Sequence, residues 1–447
     1  MGFFGGWFTS LLSALVAAAL ALTAPAGAEP VTGNCGFPPG DIYAYEFQCY
    51  RYGEFYTPPD PLPDGSPGDV IRSEPMRIVY EPSGQLGSWV AQATRIMYRS
   101  IDSRGNPTAV TGTYFEPDRP WPGNGPRPLI GVAPGTQGQG DQCAPSRLFG
   151  QSIHFSSGLD ITLGYEEFFV ATMVARGFAV VVTDYQGLGT PGVHTYVNRL
   201  AQAHALLDAV RAAKRLPGTS LTPDGPAALW GYSQGGGASA AAVELAPEYA
   251  PELRLVGAYA GAPPADLGLM LPFVDGSALV GVLGYMLNGA IEAYPEAAPA
   301  IHARLTPNGE HLLERTKNQC GPESFLEFSF HRLSEYLIGD PLQIGRDPAM
   351  SKLLGAQRIG RLKPAAPVFV DINRFDPLVP WAGAHQMALD WCAQGADVQF
   401  WTNEQPPFLN KLIVNHGLTL FVDGERALQW IADRFNGVPT TPNCGQF

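Results

Sequence analysis

The pentapeptide Gly231-Tyr232-Ser233-Gln234-Gly235 sets a hydroxyl between two glycines. In a Gly-x-Ser-x-Gly turn between strand and helix, the serine oxygen projects above the edge of a sheet, and the crowded turn leaves no room for a Cβ at the glycines. The flanks suit that geometry. Ala227–Trp230 reads as a strand leading in, and Gln234–Ala240 as a helix of small residues leading out. Such a hydroxyl becomes a nucleophile only when a base removes its proton and a third group orients the base. In sites of this type the order along the chain is serine, acid, histidine.

Of the 8 histidines, only His385 and His416 lie beyond the plausible acid. His416, in Val414-Asn415-His416-Gly417, is expected on a loop between the strand-like Val398–Thr402 and a closing helix over Leu418–Phe435, where a base would hang over the serine. His385 falls inside an expected helix, Trp381–Trp391, which suits a structural role. Two carboxylates compete as the acid. Asp371 lies within or at the end of the expected strand Ala366–Ile372, whereas Asp376 follows it in Phe375-Asp376-Pro377-Leu378-Val379-Pro380. Open α/β sheets build their sites past the carboxyl ends of strands, which favours Asp376. Asp184 precedes the serine and is expected to be structural.

A tetrahedral intermediate needs N–H donors for its oxyanion. One is expected from Gln234, directly after the serine. The other is expected from the loop Pro134-Gly135-Thr136-Gln137-Gly138, with Thr136 preferred and Gln137 the alternative. A plain glycine-rich turn is the competing reading of that loop. This chemistry requires no metal or organic cofactor. No two cysteines stand at zinc-finger spacing, and none has a histidine at ligand spacing.

These residues need a frame. Strand-like runs at Trp89–Ser100 and Ala109–Phe115 are joined by the turn Ser103–Pro107. Strands and helices then alternate: Pro128–Ala133 as strand, Gly164–Arg176 as helix, Phe178–Thr183 as strand, Leu200–Leu216 as helix, Ala227–Gly231 as strand, Gly236–Leu245 as helix. Continuous apolar strands alternating with helices predict a mostly parallel sheet covered on both faces. From Asp266 to Gln357 the pattern lapses into irregular helix, so this stretch is expected to be an insertion capping one side of the sheet. The core is therefore expected over 76–265 and 358–447, with the cap at 266–357 and an extended, Pro- and Gly-rich arm at 29–75.

Residues 1–28 read as a secretory signal, with an apolar run Trp7–Leu22 and the small-residue pattern Ala26-Gly27-Ala28. The competing reading, an N-terminal membrane anchor, needs about 20 uninterrupted apolar residues; Thr9, Ser10 and Ser13 break the run. Charged residues make up only 15% of the chain, which fits an extracellular protein that meets apolar substrates. A net charge of −13 argues against nucleic acid as a partner. Cys35, Cys49, Cys143, Cys320, Cys392 and Cys444 form an even set, and in an exported chain they are expected to pair as disulfides. Cys35 and Cys49 are near enough in sequence to close a local loop.

The chain resembles the secretory lipase family, which includes a yeast lipase A and exported actinobacterial lipases. The resemblance covers nearly all of the chain after the signal segment. It rests on Phe55–Pro59 with Pro67–Arg72, on Pro134–Gly138 with Cys143-Ala144-Pro145-Ser146, on Gly231–Gly236, on Ala260–Leu267 and on Asp376–Pro380. It implies an α/β-hydrolase fold with a helical cap, a bridge between Cys143 and Cys320 that leaves Cys392 to Cys444, and hydrolysis of triacylglycerols and simpler esters. Where the yeast enzyme carries an acidic residue in the oxyanion loop, this chain has Thr136. The expected partner is an ester or lipid substrate, with transient contact at a lipid surface and no stable protein partner. Two rival readings are another hydrolase on the same fold, such as an aminoacyl peptidase or an acyltransferase, and a non-catalytic binding protein.

Overall fold

The computed structural model describes residues 53–78, 91–150, 153–156 and 160–447. The expected signal segment, the first part of the arm, Cys35 and Cys49 lie outside the described residues. The described residues form eleven strands: β1 Val70–Met76, β2 Ala91–Ile101, β3 Pro107–Pro117, β4 Leu129–Ala133, β5 Ile153–Ser156, β6 Asp160–Leu163, β7 Ala179–Thr183, β8 Ala227–Tyr232, β9 Leu255–Gly261, β10 Val368–Asn373 and β11 Val398–Asn403. Nine of them form one sheet in the order β1-β2-β3-β7-β4-β8-β9-β10-β11. The first three run antiparallel, as does the junction of β3 with β7; from β7 to β11 every pairing is parallel. This is the α/β-hydrolase architecture. The central strands β4, β7, β8 and β10 are buried along their whole length, which is why their sequences read as unbroken apolar runs.

Helices α1 Glu166–Ala175, α2 Arg199–Arg215, α3 Gln234–Tyr249, α8 Trp381–Ala393 and α9 Val414–Phe435 flank the sheet. Asn198 starts α2 by accepting the Ala201 N–H at 3.0 Å. Between β9 and β10 the longer cap helices are α4 Val282–Ala293, α5 Pro307–Thr316, α6 Gly321–Phe328 and α7 Pro348–Gln357, with short helical turns at Leu271–Val274 and Ala298–His302. At the two ends of this insertion, Ile359 N–H donates to Ala265 O at 3.0 Å, so the chain leaves and rejoins the sheet layer at one place. Cys143 is bonded to Cys320 and Cys392 to Cys444. The first bond ties the segment after β4 to the start of α6. Beside it, Gly321 N–H donates to Gln137 O at 2.7 Å and Gln139 N–H to Gln319 O at 3.0 Å.

Four elements depart from the sequence reading. The arm does not run to residue 75, because Val70–Met76 is already the edge strand of the main sheet; Pro75 is tolerated there since an edge has unpaired positions. Strand β9 and the β5–β6 hairpin were not expected. The closing helix begins at Val414 rather than Leu418, which moves His416 from a loop into a first helical turn.

Candidate active site

Ser233 follows β8 directly and is the N-cap of α3, with φ 60° and ψ −122°. A non-glycine residue in that region is held by its surroundings rather than by preference. Here the surroundings are plain. Ser233 N–H donates to Gly261 O at 2.9 Å, and a Cβ on Gly235 would lie 2.0 Å from Ala133 O. The turn is thus pressed between β4 and β9, and the hydroxyl stands clear of the sheet.

Three sequence-expected groups meet at this point. His416 Nε2 lies 2.8 Å from Ser233 Oγ, and His416 Nδ1 lies 2.7 Å from Asp376 Oδ2. A carboxylate only accepts, so Nδ1 carries the proton and Nε2 is left to accept from the serine. The other oxygen of Asp376 accepts the N–H groups of Leu378 (2.9 Å) and Val379 (2.8 Å), which fixes the carboxylate in its loop. Tyr232 OH donates to His416 O at 2.6 Å and so anchors the first turn of α9 from below. Both Asp376 and His416 are buried.

The rival residues lie elsewhere. Asp371 is buried within β10 and accepts from Tyr259 OH at 2.9 Å; burial, with Asp423 nearby, pushes its carboxyl up to about 8. Asp184 accepts from Thr111 Oγ1 and from Ser146 N–H and Oγ, a structural role. His385 stacks on Trp381 with ring centres 4.1 Å apart.

Gln234 is the first residue of α3, so its N–H has no partner within the helix. Its side chain is held by His194, whose Nε2 lies 2.8 Å away, while His194 Nδ1 meets Gln186 O at 3.1 Å. Burial pushes His194 down to about 4, which keeps the ring neutral: Nδ1 donates to Gln186 and Nε2 accepts from Gln234. Thr136 Oγ1 is hydrogen-bonded to Tyr196 OH at 2.8 Å. Tyr196 also lines an apolar cavity of about 70 Å³ between α4, α7 and the core, with Leu271, Leu283, Met286, Leu287 and Met350. His194 and Tyr196 went unnoticed in the sequence, since Val193-His194-Thr195-Tyr196 carries no motif.

Residues 153–443 match the secretory lipase family. A secreted triacylglycerol lipase of Malassezia restricta is 27% identical over 390 residues, covering 86% of this chain and 79% of that one. A Mycobacterium tuberculosis protein named a probable inactive lipase is 28% identical over 392 residues, covering 87% of this chain and 82% of that one. Candida antarctica lipase A shares the fold, with a TM-score of 0.73 at 22% identity and 89% of each chain covered.

Proposed function

The chain belongs to the secretory lipase family, and on that premise we propose that it is an exported serine hydrolase of carboxylic esters, triacylglycerols among them. The observation that carries the reading is the unbroken hydrogen-bonded series Asp376–His416–Ser233 beneath a serine in a strained turn. A relative bears a name that marks it as inactive, yet in this chain the nucleophile, base and acid are all present and in contact.

In the proposed mechanism Ser233 Oγ attacks the ester carbonyl carbon while His416 Nε2 takes its proton. Asp376 holds the imidazolium that forms. The carbonyl oxygen, now an anion, is received by the backbone N–H groups of Gln234 and Thr136. As the tetrahedral intermediate collapses, the C–O bond to the alcohol breaks and His416 returns the proton to the leaving oxygen. Water then attacks the acyl-enzyme with His416 again as base, releasing the acid and restoring Ser233.

The cap over 266–357 is proposed to hold the acyl chain in the apolar cavity beside Tyr196. Leu269, Phe273, Phe330, Phe408, Leu409 and Leu412 are exposed hydrophobics on the cap and on the loop before α9. Ala278 N–H to Lys411 O (2.8 Å) and Phe330 N–H to Ser277 O (2.8 Å) draw these segments together. Exposed apolar side chains so grouped support transient contact with a lipid surface.

The test is a series of acyl esters of rising chain length set against aminoacyl amides, with Ser233→Ala as control. Ester turnover that is lost in Ser233→Ala, together with fluorophosphonate labelling of the wild type alone, is expected. Turnover of amides only, or an unlabelled wild type, would overturn the reading.

A further inference from the structure

The loop Pro134–Thr136 is pinned at one backbone atom after another. Tyr185 OH donates to Pro134 O at 2.7 Å, Glu166 Oε1 accepts from Gly135 N–H at 2.7 Å, and Tyr165 OH donates to Thr136 O at 3.3 Å. Tyr196 holds the Thr136 hydroxyl. The contact of Tyr165 is close enough that a Cβ on Gly135 would lie 2.6 Å from its hydroxyl oxygen. The Thr136 N–H takes no part in these bonds, which leaves it available as the second oxyanion donor of the proposed mechanism.

Glu166 is the odd member. It is 6% exposed, sits in the first turn of α1, and no cation pairs with it among the described residues. Its hydrogen-bond partner is the Gly135 N–H, and Tyr165 and Tyr185 are near enough to feel its charge. An unpaired carboxyl in so dry a place is costly, and burial pushes it up to about 7. A core built for packing alone would put an apolar residue here. Four polar side chains converge on a loop of three residues, which serves orientation rather than packing.

We propose that Glu166 is a positioning residue for the oxyanion site, acting through Gly135 N–H to set the direction of the adjacent Thr136 N–H. This rests on the hydrolase reading above. Rotation of the Pro134–Thr136 peptides would turn the donor away from the oxygen that gains charge, and such a donor acts in the transition state far more than in the bound ester. Glu166 itself touches no reacting atom.

The experiment measures kcat and KM on one soluble short-chain ester, and the rate of fluorophosphonate labelling, for wild type and for Glu166→Ala, Glu166→Gln and Glu166→Asp. Removal of one oxyanion donor lowers kcat by about 10²–10³, so a misdirected one is expected to cost about 10-fold to 100-fold. Glu166→Ala and Glu166→Asp are expected to show that loss with KM within about twofold, because aspartate is one methylene too short to reach Gly135. Glu166→Gln keeps an oxygen acceptor and is expected to restore most of the rate. If Glu166→Ala does not fold, the contrast between Gln and Asp decides. Wild-type kcat in both Ala and Asp, equal losses in Gln and Asp, or a change confined to KM would overturn the inference. A wild type that neither hydrolyses the ester nor takes the probe overturns the hydrolase reading, and this inference with it.

Discussion

The floor of the site and its cap differ in how tightly their parts are determined. In the floor, Ser233, Gly235 and the Pro134–Thr136 loop are squeezed between fully buried strands, and polar groups such as Asp376, His194 and Glu166 are fixed by hydrogen bonds inside the protein. In the cap, α4 is the longest helix at 12 residues, and the ion pairs are solvated: Arg315 meets Glu327 with 45% and 28% of the side chains exposed. Acyl transfer demands donors and nucleophile held to within about 0.5 Å. Holding an alkyl chain demands only a dry apolar space. On the proposed mechanism the precision of the fold lies where the charge would develop, and the cap is left free to vary.

Variants in the two regions can break or sharpen that contrast. The largest effect is expected from Ser233→Ala, with ester turnover falling by about 10⁴-fold or more and the melting temperature little changed, since alanine keeps the strained backbone and loses only the hydrogen bond to His416. Comparable activity in the variant would place the chemistry elsewhere. Next, Cys143→Ala with Cys320→Ala unties cap from floor and is expected to lower unfolding stability by about 2–5 kcal/mol in denaturant titrations. A stability unchanged within error would show that the cap is held by packing alone.

Asp371→Asn is expected to act through pH. The carboxyl keeps its proton in the fold until about 8, against an ordinary value of 3.8. Between those values the unfolded chain has released a proton that the folded one retains, so wild-type stability falls as pH rises. Asparagine has no such proton. From pH 5 to 7 the variant is therefore expected to gain about 2.5 kcal/mol on the wild type, and a constant difference would refute the buried neutral acid. Within the cap, Met286→Trp narrows the apolar cavity and is expected to shift preference toward shorter acyl chains by about tenfold in kcat/KM, a methylene or two in a pocket being worth about 1–3 kcal/mol. An unshifted chain-length profile would move the acyl site out of this cavity. At the bottom of the scale, Arg315→Ala is expected to cost under about 0.5 kcal/mol, as exposed pairs do.

The same contrast governs what the sequence shows. Ser233 was legible because its turn requires glycines at fixed positions, and Asp376 because it stands just past an apolar strand. His416 was legible by elimination, but its helix was misplaced. Ile413, a β-branched residue at φ 58°, is the cap, and Gly417 stands in the first turn, so no capping signal marks Val414. Strand β9 hid behind Gly257 and Gly261, whose missing side chains make room for Arg434 and for Tyr232 and Tyr259. In the cap, prolines open α5, α6 and α7 after short irregular links, which leaves too little of the helical period to set boundaries. Glu166 was invisible because its partner is a backbone N–H thirty-one residues away, and no local pattern encodes that meeting.

The bond between Cys143 and Cys320 closes a covalent ring with a sequence separation of 177, and Ser233 lies inside it. A protease that cuts any one peptide bond between those cysteines makes a nicked molecule, not two fragments. The serine's part of the chain stays attached to the cap and to the strands on either side. That is a form of damage tolerance: one cut anywhere between the two cysteines does not release the piece that carries Ser233.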